Sequence, residues 1–194
     1  WCKDTQAATL SLLAASVYLP VGAAWGFADR LGFQPFDFSP TITLLTAVHF
    51  HYAGFVLPLM LGLALREFTC LLDKFIAWVT ILGISLVAVG IMTTHFQLPS
   101  FIELVAATVM ALSAMGVGMM HLNLAWRHRD RPAAWWWAFS GLALILGMSL
   151  AFCYGWRSVF VIEALTIPWM YAVHGTLNAI GFAIPGLLGW MRTE

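Results

Sequence analysis

The chain has 194 residues, 61% of them hydrophobic and only 9% charged, with six histidines and no net formal charge. Soluble domains carry about 25% charged residues, so this composition excludes an ordinary soluble domain and predicts a membrane protein. The balanced charge offers nothing to a nucleic acid, and three cysteines without CxxC spacing (Cys2, Cys70, Cys153) indicate neither a disulfide framework nor a thiolate metal site.

The numbering opens on Trp1 rather than Met, and Lys3 and Asp4 lead directly into an apolar stretch with no recognisable signal peptide. A preceding segment is therefore expected. A membrane helix needs ~20 mainly apolar residues. Six such spans follow in order: 6–28, 40–66, 74–96, 100–126, 133–154 and 168–191. Pro40, Pro99, Pro132 and Pro168 stand at or just before the starts of four of them, where a missing N–H does no harm. Pro58 and Pro185 lie inside spans and predict kinks, tolerated in a membrane when neighbouring groups satisfy the freed carbonyls. The longer connections are 28–40 and 155–167; the second, with Trp156, Arg157, Phe160 and Glu163, is expected at the interface. The predicted fold class is all-α: a polytopic transmembrane bundle of about six helices, one domain over 1–194. Neither a soluble domain nor an internal repeat is expected.

With six crossings, the side holding Trp1 receives Lys3, Arg66, Lys74, Arg127, Arg129, Arg131 and Arg192, and the other only Arg30 and Arg157. The positive-inside rule then puts both termini in the cytoplasm. Trp126, Trp135, Trp136, Trp137 and Trp190 are expected to form the inner aromatic belt, and Trp25, Trp156 and Trp169 the outer one.

Ionisable groups at membrane depth are costly and mark function. The second span carries two, His49 and His51, and the sixth carries His174. At ~1.5 Å per residue, His49 and His51 lie about 14 and 17 Å from the entry at Pro40; His174 and Asn178 lie about 9 and 15 Å from Pro168. His95 and Glu103 belong to the same membrane half, so a polar pocket opening to the outer side or the outer leaflet is expected. Tyr171, His174 and Asn178, spaced i, i+3, i+7, would share one helix face. His49 and His51 are about 200° apart on an ideal helix, so one should face the pocket, with His49 preferred, while the other bonds to a neighbouring helix.

Three chemistries suit these residues. Acid–base catalysis would use His49, His51 and His174 with Glu103 as proton partner, and Asn178, Tyr171, Trp25 and His95 would contact substrate. Zinc or iron would take His49, His95, His174 and Glu103. Haem would take an axial histidine from the second or sixth span. None of the spacings is diagnostic: HExxH and the HxxxH and HxxHH boxes are absent. The plain alternative is that buried histidines only join helices. His121 and Asn123, near Arg127, His128 and Arg129, are expected at the inner interface. Met115, Met119 and Met120 are expected to pack rather than bind copper.

The block Leu45-Thr46-Ala47-Val48-His49-Phe50-His51-Tyr52-Ala53-Gly54-Phe55, with Tyr18 to Trp25 upstream and His174 to Phe182 downstream, resembles the YndJ-like family of bacterial integral membrane proteins. The resemblance implies a multi-helix protein of the bacterial inner membrane and singles out His49, His51, His174 and Asn178. It implies no reaction.

The leading expectation is a membrane-embedded enzyme, a cyclase, isomerase or hydrolase acting on a lipophilic small molecule. It would need no cofactor, although zinc or iron/haem would fit the residue types. Its partners would be the lipid bilayer, that substrate and a second copy in a homo-oligomer. A small-molecule transporter and a haem or metal protein are the alternatives. Against transport stand the small size, the lack of a repeat and the lack of paired broken helices.

Overall fold

The structure is a computed structural model that describes residues 6–68, 70–99, 101–160 and 162–192. Cys2 and Lys3 lie outside the described residues. Six helices are long and apolar enough to cross a membrane: α1 Gln6–Arg30, α2 Pro40–Ala64, α3 Leu71–His95, α4 Phe101–Arg127, α5 Ala133–Ser158 and α6 Ile167–Met191. Among the described residues no strand occurs.

The helices begin where local chemistry dictates. Ser39 caps α2 by accepting the Ile42 N–H at 3.4 Å, with Pro40 in the first turn. Thr166 caps α6 by accepting the Trp169 N–H at 3.4 Å, with Pro168 in the first turn. A side-chain acceptor satisfies an orphan donor there, and proline loses nothing because its position lacks a partner anyway.

Short connections alternate the helix directions. One end of the bundle, here the entry end, gathers the starts of α2, α4 and α6. The other, the basic end, holds Arg127 stacked over Phe68 and Arg192 over Trp136. α2 is central, packing on α1, α3, α4 and α6, while α3, α4, α5 and α6 pack successively. Tyr18 ties α1 to α3 by hydrogen bonds to Ser85 (2.6 Å) and the Ile81 carbonyl (3.2 Å). Leu13, Leu82 and Leu146 are among many apolar side chains left exposed around the bundle. In a membrane they face lipid, so their exposure carries no penalty.

α2 and α6 are both broken at corresponding places, and α6 carries a further π turn at Met170–His174. A π-helical stretch runs over Phe50–Val56 in α2 and over Leu177–Ala183 in α6, each followed by an α-helical end, Leu57–Ala64 and Ile184–Met191. Proline at residue i clashes with the carbonyl of i−4 and removes one ladder hydrogen bond. Pro58 and Pro185 act on Gly54 and Gly181 respectively, and glycine lets the backbone adjust. The widened turn closes with i→i−5 bonds, Leu57 N–H to Tyr52 and Ile184 N–H to Ala179.

The expectation of no repeat is thereby corrected. The caps at 39 and 166, the helix starts at 6 and 133, and the π stretches at 50–56 and 177–183 all stand 127 residues apart. Gly54-Phe55-Val56-Leu57-Pro58 matches Gly181-Phe182-Ala183-Ile184-Pro185, and Leu61-Gly62 matches Leu188-Gly189. The packing repeats too. A Cβ on Gly54 would meet Tyr18 of α1 at 2.8 Å, and one on Gly181 would meet Ala143 of α5 at 2.6 Å. The hairpins α1–α2 and α5–α6 are thus a parallel repeat, and their two π stretches touch each other.

Candidate functional site

Where the broken helices meet, three polar side chains converge. His174 on α6 lies 2.8 Å from the Gly147 carbonyl of α5 through Nδ1. A carbonyl only accepts, so Nδ1 carries the proton and Nε2 is left to accept. Asn178, one turn on, donates its amide to that Nε2 at 3.0 Å. Gly147 makes this possible, because a Cβ there would stand 3.1 Å from Asn178 Oδ1. His49 of α2 completes the group. Its ring lies by the Ile84 backbone of α3 and on the side toward His174, where the π stretches of α2 and α6 meet.

Two atoms of this group are buried without a hydrogen-bond partner: His49 Nε2 and Asn178 Oδ1. A buried polar group left unmade costs about 1–3 kcal/mol, so each marks a place for a complementary group. Asn178 Oδ1 can only accept, and the surrounding histidines bring no carboxylate. The site therefore suits the donor of an uncharged head group.

The other sequence-derived candidates stand apart from it. His51 directs Nδ1 to the Ala47 carbonyl of its own helix at 2.7 Å and lies over Gly22 of α1. It turns away from α6, as the 200° argument requires, but its bond stays within α2 instead of reaching another helix. Glu103 pairs with Arg157 at 2.8 and 2.9 Å and accepts from Thr94 at 2.7 Å. The expected pairing of Glu103 with the histidines is not made, because the guanidinium at the end of α5 is the stronger partner for a carboxylate. His95 donates to the Phe36 carbonyl at 2.9 Å and makes a T-shaped contact with Phe38, which also stacks on Trp25. His95 and Trp25 thus close the 28–40 connection over the entry end.

Tyr171 is 53% exposed and does not share the face of His174 and Asn178. The expectation of a common i, i+3 face assumed α-helical turns. A π-helical turn over Met170–His174 takes more residues, which rotates Tyr171 outward and leaves the i, i+4 pair together. The proposed metal set is dispersed likewise: among the described residues no three His, Cys, Asp or Glu side chains are grouped to hold an ion.

Two residues read as interfacial prove to be core. His121 is 0% exposed and Trp137 1% exposed. His121 Nδ1 donates to Ser140 Oγ at 2.9 Å, and Ser140 donates to the Phe182 carbonyl at 2.9 Å. The proximity of His121 to a basic loop in sequence was misleading, since one face of the last turns of α4 packs against α5. Asn123 is exposed. A depression of about 450 Å³ over α3 and α4, floored by Gly83 and lined by Leu82 and Val89, is apolar and opens outward. It has the character of a lipid-facing groove.

A family model described as YndJ-like protein matches residues 3–182. The chain is 32% identical over 184 residues to the uncharacterized membrane protein YndJ of Bacillus subtilis (strain 168), a match covering 93% of this chain and 32% of that protein. It thus spans about a third of that relative's length. No solved structure matches the chain. With six membrane-length helices and a family match over nearly its whole length, the chain is an integral membrane protein that belongs to the YndJ-like protein family.

Proposed function

We propose that this chain is a carrier for a small amphiphile with an uncharged, hydrogen-bond-donating head, working in the bacterial plasma membrane. One observation carries the reading: paired π-broken, proline-terminated helices in a parallel repeat, with His49 Nε2 and Asn178 Oδ1 unpartnered where they meet. Interrupted helices at equivalent places in two repeats are the strongest sequence-level pointer to a transporter binding site, and parallel repeats are related by an axis along the membrane normal. Rocking of α1–α2 against α5–α6 would open the site first to one end and then to the other. Broken helices supply the hinges.

The head group would donate to Asn178 Oδ1 and His49 Nε2, while its apolar body would lie among the lipid-facing side chains. The test begins with organic extraction of the purified protein and mass spectrometry of what co-purifies. The identified amphiphile is then followed across proteoliposome membranes. Movement that is lost in His49→Ala and Asn178→Ala supports the reading. Movement equal in wild type and both variants overturns it.

A second reading, a membrane-embedded enzyme, rests on the proximity of His49 and His174. Two neutral imidazoles, one with a free Nε2, form an acid–base pair for an isomerisation. Chemical conversion of the extracted amphiphile by wild type, without transbilayer movement, would establish it in place of transport.

A further inference from the structure

The basic half of the bundle holds a second set of polar atoms that the histidine site does not use. His121 Nδ1 is fixed by Ser140, so its Nε2 is a bare acceptor, and that atom is buried without a partner. Trp137 Nε1, which can only donate, is also buried without a partner. Both rings press on α6 at glycines. A Cβ on Gly186 would stand 3.0 Å from Ser140 Oγ and 3.5 Å from His121 Cε1, and one on Gly189 would stand 2.9 Å from Trp137 Nε1. Gly186 and Gly189 are one turn apart, about 4.5 Å along α6. The ring that carries the unfilled acceptor and the ring that carries the unfilled donor thus meet α6 at two glycines one turn apart.

We propose that His121, Ser140 and Trp137 form a second binding station, for a hydroxyl-bearing head, which both donates and accepts. A hydroxyl would donate to His121 Nε2 and accept from Trp137 Nε1. His121 is held by the neutral Ser140 hydroxyl rather than by a carboxylate, so this station, like the first, suits an uncharged head. The two stations share α6: Asn178 belongs to the first, and the Phe182 carbonyl, one turn further on, anchors Ser140 in the second. The inference rests on the carrier reading and deepens it, because a head group crossing the bilayer needs a stop in each half.

The experiment is ¹⁵N–¹H spectroscopy of the whole chain in phosphatidylcholine nanodiscs, with histidine and tryptophan labelled. The signals are assigned with His121→Phe, Trp137→Phe and His174→Phe. The probe is 1-dodecanol, and the control is n-dodecane, which has the same chain without the hydroxyl. A saturable downfield shift of the Trp137 indole proton, accompanied by a His121 Nε2 shift and absent with dodecane, is expected. It should persist in Asn178→Ala, which removes only the first station. The second station is overturned if these signals do not respond, or if dodecane moves them as much as dodecanol. The carrier reading fails separately if Trp137 and His121 respond while the His174 signals do not.

Discussion

Gly181→Ala and Gly175→Ala, six residues apart on α6, should have opposite effects. A Cβ on Gly181 would lie 2.6 Å from the Ala143 Cβ, whereas nothing lies within 4 Å of one on Gly175. The Ala143 Cβ is fixed to its backbone and cannot rotate away, so α5 and α6 must separate by about 1 Å to reach carbon–carbon contact near 3.5 Å. Overpacking of this kind costs about 1–3 kcal/mol. Replacing glycine in a helix returns about 0.8–1.0 kcal/mol of propensity, leaving a net loss of up to about 2 kcal/mol for Gly181→Ala. Gly175→Ala keeps the gain without the clash. Equilibrium unfolding in mixed detergent–SDS micelles, read by tryptophan fluorescence, measures both. Gly54→Ala, the repeat equivalent, should behave as Gly181→Ala does, because its Cβ would meet Tyr18 Cβ at 2.8 Å. Equal stability of Gly175→Ala and Gly181→Ala would refute the close α5–α6 approach.

Ser140→Ala severs His121 from the Phe182 carbonyl and should cost about 0.6 kcal/mol, the average for a hydrogen bond between membrane helices, and at most about 1.7 kcal/mol for each bond lost, in the same unfolding assay. Arg157→Ala leaves Glu103, 18% exposed, with Thr94 as partner at the entry end; a loss of about 1–3 kcal/mol, between that of an exposed and a buried pair, is expected, with amphiphile binding unchanged. Pro185→Ala restores a donor for the Gly181 carbonyl and removes a residue about 3 kcal/mol worse than alanine in a helix. The variant should be at least as stable as wild type, exchange its α6 amide hydrogens more slowly and bind amphiphile less.

Much of the fold was legible in the sequence. Apolar runs of membrane length fixed the six helices to within a few residues, and Ser39-Pro40 and Thr166 with Pro168 announced two starts. Depth counting placed His49, His174 and Asn178 in one half of the bundle, and they do converge. Face counting failed at Tyr171 because it assumed α-helical turns, and the π stretches change the residues per turn. Glu103 was assigned to the histidines on depth alone; the residue that claims it, Arg157, lay in a connection whose position no periodicity fixes. His121 and Trp137 were judged by their distance from a helix end, although helix ends bury one face. The repeat was readable at Gly54 to Pro58 against Gly181 to Pro185. Lipid-facing positions drift freely between apolar types, so only the glycines, the prolines and their immediate neighbours preserve it.

The central claim is that the junction of the two π-broken helices holds an uncharged amphiphile through His49 and Asn178. Native mass spectrometry of the chain released from nanodiscs tests it most directly, comparing wild type with His49→Ala, Asn178→Ala and Glu103→Gln. The account predicts the same number of bound amphiphiles in wild type and Glu103→Gln, and one fewer in both other variants. An unchanged number of adducts in His49→Ala and Asn178→Ala, or a loss only in Glu103→Gln, would contradict it.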